Sequence, residues 1–116
     1  MNFLFICTGN VSRSPAAEAV FGQITSGVHE TRSAGVSPFS PRPLSREDVR
    51  WADVVAVMEA DHRAFIVGRW PEVAPKVRVL EIEDRYHRDD PVLLRLLAEK
   101  LGALLAEIDT GGMIGS

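Results

Sequence analysis

The chain is poor in the residues that define several large classes of protein. It has a single cysteine among 116 residues, so no disulfide can form within it, which suits the reducing cytoplasm. No stretch approaches the roughly 20 apolar residues of a membrane-spanning helix, and no basic region precedes the apolar N-terminal run, so neither a membrane partner nor a signal peptide is expected. The net charge of −3 gives no general basic field for nucleic acid.

Signatures of metal and nucleotide binding are lacking as well. The three histidines, His29, His62 and His87, are far apart and do not have the spacing of metal ligands. The sequence contains no glycine-rich Walker pattern and no Rossmann fingerprint. We therefore expect no metal and no cofactor.

The chain does have an alternation of strand and helix patterns. Its hydrophobic content of 46% and charged content of 25% are typical of one globular domain, placed at 1–110, with a flexible tail at 111–116. Strands are predicted at 2–7, 28–33, 53–58 and 77–82, and helices at 14–25, after Ser45, at 60–69 and at 90–108. The pattern indicates a three-layer α/β fold, in which a four-stranded parallel sheet of order 2-1-3-4 has helices on both faces.

The most informative segment joins the first strand to the first helix. Cys7 ends an apolar strand, Arg13 follows after five intervening residues, and Ser14 is the expected N-cap of the helix. Backbone N–H groups and a helix dipole should converge beside the thiol, which predicts an anion site and favours the thiolate. Arg13 suits two phosphate oxygens, and the Ser14 hydroxyl can donate to sulfur. The alternative is that Cys7 is a buried, inert, small hydrophobic residue.

These residues resemble the phosphate-binding loop of the low-molecular-weight protein tyrosine phosphatases. The resemblance covers about residues 1–108, and it includes four further segments: Ser33 to Gly35, Trp51 to Met58 with His62, Ile82 to Tyr86, and Asp90-Pro91. The late segments are most similar to a compact bacterial branch of the family. The resemblance implies the phosphotyrosine protein phosphatase I-like fold and a cytoplasmic, metal-independent phosphomonoester hydrolase. Its substrate would be phosphotyrosine in a protein or a small phosphomonoester, and a phosphoarginine-like group would also fit.

The family's chemistry implies a role for each catalytic residue. Cys7 would attack phosphorus and become a phosphocysteine, while Arg13 would hold the phosphoryl oxygens. An acid must protonate the leaving oxygen and later activate water. Asp84 is the best candidate, because it follows the predicted fourth strand and so lies at the carboxyl edge of the sheet. Asp89 is a rival, and Asp90 is better explained as the N-cap of the last helix.

The remaining loop residues would bind phosphate. The predicted set consists of Thr8, Gly9, Asn10, Val11, Ser12, Arg13 and Ser14, with the backbone amides of 8–13 facing the phosphoryl group. Asn10 would hold the curve of the loop, and Gly9 would provide either a permissive backbone or room for phosphate. Tyr86 would line the mouth and stack on an aromatic substrate, or else be a half-buried packing residue.

Two positions depart from the family pattern. Ser12 stands where many members have a second cysteine, so disulfide protection of the catalytic cysteine cannot operate here. Arg85 replaces the usual proline after the acid, which would favour a more negatively charged substrate.

Three other functions stay open from the sequence. Arsenate reductase shares this scaffold and loop, but it would need an external thiol donor because the chain has no further cysteine. A phosphocysteine carrier of the sugar-transport type is disfavoured by Arg13. A non-catalytic module would bind phosphorylated partners without turnover, since a fold alone does not fix function.

Overall fold

The four strands form one parallel sheet in the order β2-β1-β3-β4, as predicted. The computed structural model describes the backbone of residues 1–115 and the side chains of residues 1–109. The strands are β1 (Asn2–Cys7), β2 (Glu30–Gly35), β3 (Val54–Val57) and β4 (Val77–Val79). The helices are α1 (Arg13–Ile24), α2 (Arg46–Trp51), α3 (Ala60–Arg69) and α4 (Pro91–Gly115), with a 3-10 helix at Pro71–Lys76.

The apolar run of β1 explains the three layers. Successive side chains of a strand point to opposite faces. Phe3 and Phe5 therefore pack with α1 and α4 on one face, while Leu4 and Ile6 pack with α2 and α3 on the other. All four side chains are fully buried, as expected for a central strand covered on both sides. The Cys7 side chain lies on the α1 and α4 face.

Two of the predicted helix starts are confirmed. Ser45 Oγ accepts from the Asp48 N–H at 3.2 Å, and Asp48 Oδ2 accepts from the Ser45 N–H at 3.3 Å, which is a reciprocal cap at the start of α2. Asp90 Oδ1 accepts from the Val92 N–H at 2.8 Å at the start of α4.

None of the helices in the described part of the chain is long and apolar enough to cross a membrane.

The prediction that Ser14 caps α1 is wrong. The helix begins at Arg13, with Ser12 at the cap position and no side-chain capping bond. Ser14 is fully buried, and its hydroxyl contacts Cys7 and Asn10 in the loop that precedes the helix, so it is not used to cap α1.

Two strands differ in their bounds from the sequence prediction. β2 starts later than predicted, because Ser26 and Gly27 turn the chain after α1 through positive φ values of 53° and 72°. β4 ends at Val79, because Glu81 has φ 60°, which a strand cannot contain. The Leu80 N–H still donates to the Val57 carbonyl of β3, and the Ile82 N–H donates to the carbonyl of Met58, each at 2.8 Å. The chain therefore continues alongside β3 toward the carboxyl edge of the sheet.

The last helix is longer than predicted. It was expected to end near Ile108, but the described backbone is helical to Gly115, in a segment that contains no proline. The domain limits at 1–110 and the flexible tail at 111–116 stay predictions, and Ser116 lies outside the described residues.

Candidate active site

Cys7 is the last residue of β1, and its sulfur is surrounded by polar groups. The side chain is only 3% exposed, yet Sγ lies 3.0 Å from Ser14 Oγ and accepts from the Asn10 N–H at 3.1 Å. Asn10 has φ 54°, a left-handed conformation that asparagine tolerates, and this turn directs its N–H back at the sulfur. An inert apolar cysteine would not have such partners.

The Ser14 hydroxyl links the sulfur to the Asn10 side chain. Ser14 Oγ donates its proton to Asn10 Oδ1 at 2.8 Å, so in this arrangement the Cys7 thiol donates its own proton to Ser14 Oγ. When the thiol ionises, the hydroxyl can donate to the sulfur instead, with the Asn10 amide turned to offer its N–H₂ group to Ser14. The pair can therefore accommodate both protonation states of Cys7.

Arg13 closes the loop, and its guanidinium is held by residues that follow two other strands. Arg13 is 2% exposed, and Nη1 donates to the Glu59 carboxylate and to the Ile82 carbonyl oxygen, the latter at 2.7 Å. Nη2 lies 3.7 Å from Asp84 Oδ2. A buried guanidinium requires such partners, because its charge has lost contact with water.

The structure brings Asp84, and not its rivals, to the cysteine. A cavity of about 270 Å³ is lined by Cys7, Thr8, Gly9, Val11, Ser12, Arg13 and Asp84. The Asp84 side chain is 69% exposed, so its carboxyl can exchange protons with solvent. Asp89 lines a different cavity between α1 and α4, and Asp90 is engaged as the cap of α4.

Tyr86 is not among the residues that line this cavity. It is partly buried against the core on the α1 and α4 face, and the Arg85 guanidinium lies 5.2 Å from the centre of its ring. The apolar group that the cavity does present is Val11, which is 65% exposed. Gly9 does not have a positive φ, and an added Cβ there would meet only Val11 Cγ2 at 3.7 Å, so its backbone is not strained.

The segment after β2 supports the start of the loop. The Val36 N–H donates to the Cys7 carbonyl and the Ser37 N–H to the Thr8 carbonyl, each at 3.0 Å. Gly35 makes this approach possible, because a Cβ there would lie 2.6 Å from the Thr8 carbonyl oxygen. Gly35 was predicted only as part of the resemblance; this close approach, beside its pairing with Cys7 across the sheet, gives the physical reason for glycine.

Glu59 was not among the predicted residues of this site, and His62 was named only in the resemblance and among the histidines that lack metal-ligand spacing. Glu59 immediately precedes α3, and its carboxylate binds Arg13. Its position after the third parallel strand indicates that it lies at the carboxyl edge of the sheet, and this signal could have pointed to it. His62 is 1% exposed; Nδ1 accepts from the Glu59 N–H at 3.1 Å, and Nε2 lies 2.9 Å from Thr8 Oγ1. Burial lowers the pKa of His62, with a further contribution from the charge of Arg13 against the opposing charge of Asp61.

A cluster of possible metal ligands also falls here. Ligand atoms of Glu59, Asp61 and His62 lie within 4.8 Å of one another. Both ring nitrogens of His62 already have hydrogen-bond partners, and Glu59 is bound to Arg13. The cluster therefore offers no free imidazole nitrogen to a metal.

Known proteins share both this sequence and this fold. The family model for low molecular weight phosphotyrosine protein phosphatase matches residues 2–41. A protein-arginine-phosphatase of Bacillus subtilis (strain 168) is 31% identical, with a match that covers 70% of this chain and 71% of that protein. The chain belongs to the low-molecular-weight protein tyrosine phosphatase family.

Two solved structures agree with this assignment. The phosphatase superposes on a low molecular weight protein tyrosine phosphatase from T. tengcongensis with a TM-score of 0.74 and 27% identity, covering 92% of this chain and 99% of that one. It also superposes on a cysteine-to-serine mutant of YwlE arginine phosphatase with a phosphorylated active-site serine (TM-score 0.71, 25% identity, 92% and 97% coverage). The phosphatase is a cysteine-based hydrolase with the fold of its family.

Proposed function

We propose that this phosphatase hydrolyses phosphotyrosine in proteins through a phosphocysteine on Cys7. The observation that carries the proposal is the shared cavity, in which the Cys7 thiol, the Arg13 guanidinium and the Asp84 carboxyl meet. The first two lie at opposite ends of a single loop, and the third lies beside the guanidinium. A nucleophile, an anion-binding group and a proton donor are the minimum that phosphoryl transfer by a thiolate requires.

The reaction has two steps. The Cys7 thiolate forms the S–P bond while the P–O bond to the substrate breaks, and Asp84 gives its proton to the leaving oxygen. Asp84 then takes a proton from water as that water attacks phosphorus, which breaks the S–P bond and releases phosphate with the thiolate restored. The loop amides and Arg13 hold the phosphoryl oxygens, and their interaction strengthens as charge develops in the transition state.

The loop residues have supporting roles in this proposal. Ser14 and the Asn10 N–H stabilise the thiolate, because both lie within hydrogen-bonding distance of Sγ. The backbone of residues 8–13, including Gly9 and Ser12, forms the phosphate cradle. Because the reaction requires a reduced Cys7, we place the protein in the cytoplasm, where thiols are kept reduced.

The nucleophile is tested with para-nitrophenyl phosphate in the presence of chelator between pH 5 and 8. Cys7→Ser should abolish turnover and still bind phosphate, whereas Ser12→Ala, a change in the same loop, should keep substantial activity. Full turnover by Cys7→Ser would refute the assignment of the nucleophile.

The acid is tested with a series of aryl phosphates that differ in leaving-group pKa. Asp84→Asn should slow phenyl phosphate, a poor leaving group, far more than para-nitrophenyl phosphate, because only the former needs its proton in the transition state. Asp89→Asn is the matched control, since Asp89 lines a different cavity. Equal losses across the series would remove Asp84 from the role of acid.

Phosphoarginine is the second candidate substrate, and one finding favours it. The relative from Bacillus subtilis, 31% identical to this chain, is a protein-arginine-phosphatase. The exposed Val11 in the cavity favours an aromatic group over a charged guanidinium, because an apolar side chain gains more from burying a large apolar ring than from contact with a cation. Two peptides of one sequence, one with phosphotyrosine and one with phosphoarginine, decide the matter: a higher kcat/KM for the arginine peptide would overturn the tyrosine assignment.

A further inference from the structure

The loop residue Thr8 has a hydroxyl whose hydrogen-bonding role is fixed by a buried histidine. Thr8 immediately follows Cys7, is exposed, and lines the cavity that contains the thiol. Its Oγ1 lies 2.9 Å from Nε2 of His62, a residue in the first turn of α3. A hydroxyl carries one proton and two lone pairs, so the protonation of Nε2 decides which way this bond runs.

The other ring nitrogen settles the direction of that bond. Nδ1 of His62 faces the Glu59 backbone N–H at 3.1 Å, and a backbone N–H can only donate. Nδ1 must therefore be unprotonated, and a neutral ring carries its proton on Nε2. Nε2–H then donates to Thr8 Oγ1, and the hydroxyl keeps its own proton for a different acceptor.

We propose that Thr8 donates this hydroxyl hydrogen bond to a phosphoryl oxygen of the substrate, and that His62 is the positioning residue that makes the hydroxyl a donor. The inference rests on the proposed function of the cavity and adds a side-chain donor to its backbone amides. Glu59 contributes to both ends of the loop, because its N–H orients His62 against Thr8 and its carboxylate binds Arg13. The first turn of α3 therefore fixes the hydroxyl and the guanidinium in one arrangement.

Two matched pairs of variants test the proposal. Thr8→Ser keeps the hydroxyl and Thr8→Val removes it with little change of shape. His62→Gln can place an amide N–H near the position of Nε2, whereas His62→Asn can accept from the Glu59 N–H but does not reach Thr8. We expect Thr8→Val and His62→Asn each to lower kcat/KM by about ten-fold or more, and Thr8→Ser and His62→Gln to recover most of the loss.

The double variant Thr8→Val/His62→Asn separates a shared role from two independent ones. If His62 acts through the hydroxyl, the double variant is no slower than Thr8→Val alone. A multiplied loss, or equal activity of Thr8→Val and Thr8→Ser, would overturn the proposal. Thermal unfolding of each variant shows whether the protein is folded under the assay conditions.

Binding of inorganic phosphate gives a readout that does not depend on turnover. Titration calorimetry should show weaker phosphate binding by Thr8→Val and His62→Asn, and near-normal binding by Thr8→Ser. An unchanged phosphate affinity in Thr8→Val, with lower thermal stability alone, would show that the contact is only structural. Failure of the wild-type protein to hydrolyse any phosphomonoester would instead count against the proposed function, and the phosphate affinities would still decide the role of Thr8.

Discussion

Replacement of Gly35 by alanine would press directly on the loop that follows Cys7, which we propose binds phosphate. Gly35 pairs with Cys7 across the sheet, and an added Cβ would lie 2.6 Å from the Thr8 carbonyl oxygen, 2.7 Å from Ser40 Oγ and 2.9 Å from Ser40 Cβ. The serine hydroxyl can rotate away, but the carbonyl belongs to the backbone and also accepts from the Ser37 N–H at 3.0 Å. Relief of the clash therefore requires a movement of the residue that follows the nucleophile.

The size of the effect follows from that geometry. Real Cβ atoms essentially never lie under 3.0 Å from such a neighbour, so the carbonyl must shift by several tenths of an ångström. Overpacking of this kind costs about 1–3 kcal/mol of stability. Misplacement of reacting groups by about 1 Å can reduce the rate about 100-fold, so for this smaller shift we expect kcat/KM to fall by about ten-fold or more.

Gly102→Ala is the matched control for this experiment. Gly102 lies in α4, and a Cβ there meets nothing within 4 Å, so alanine should leave activity intact and raise stability by about 0.5–1 kcal/mol. Steady-state kinetics with para-nitrophenyl phosphate and thermal unfolding of both variants provide the comparison. If Gly35→Ala matches the control in stability and kcat/KM, the close approach of the two segments has no such importance. A loss of stability alone would show that Ser40 yields and the loop does not.

Three further predictions concern the site. Ser14→Ala removes the hydroxyl that lies 3.0 Å from Cys7 Sγ and should lower kcat for para-nitrophenyl phosphate by about ten-fold or more, whereas Ser12→Ala should change it little; equal kcat values for the two variants would contradict a role for this contact. The folded protein holds the pKa of His62 below its usual 6.5, so as the pH falls the unfolded chain protonates this histidine at a higher pH than the folded protein does. The free energy of unfolding measured with urea should therefore decrease as the pH drops below 6.5, and it should decrease less in His62→Gln. Peroxide should inactivate the protein without forming an intrachain disulfide, whereas Ser12→Cys should form one that involves Cys7, and mass spectrometry distinguishes the two outcomes.

Local sequence was sufficient to predict the centre of the fold. The apolar run of β1 is buried on both faces, and the predicted strand order is confirmed. The positions of Cys7 and Arg13 around a strand-to-helix loop could be predicted as well, because chain connectivity alone brings the two ends of a short loop together. Asp84 was named from the resemblance of its segment to the family's late loop, together with the rule that parallel strands end at one edge of the sheet, and it lines the same cavity as Cys7 and Arg13.

The parts that could not be predicted depend on contacts between distant segments. Local propensity assigned Ser14 to capping, whereas tertiary contacts with Cys7 and Asn10 use its hydroxyl. Glu59 follows β3 and so shares the carboxyl edge of the sheet with Cys7, but surface acids can occupy such a position too, and only the folded structure shows that its carboxylate binds Arg13. The positive φ of Glu81 is likewise invisible in an alternating pattern that predicts strand.

The two residues that bind the Arg13 guanidinium lie far from it in the sequence, which affects when the site can form during folding. Glu59 lies 46 residues and Ile82 lies 69 residues further along the chain, and the contact between Thr8 and His62 spans 54. Contacts of such separation form slowly, because a long loop of chain must first close. A chain still emerging from the ribosome, with Ile82 not yet released, contains the complete cysteine loop but lacks the carbonyl of Ile82 and the carboxylate of Asp84 beside its guanidinium. If the loop binds phosphate as proposed, that binding requires the finished molecule, and it would report completed folding during synthesis.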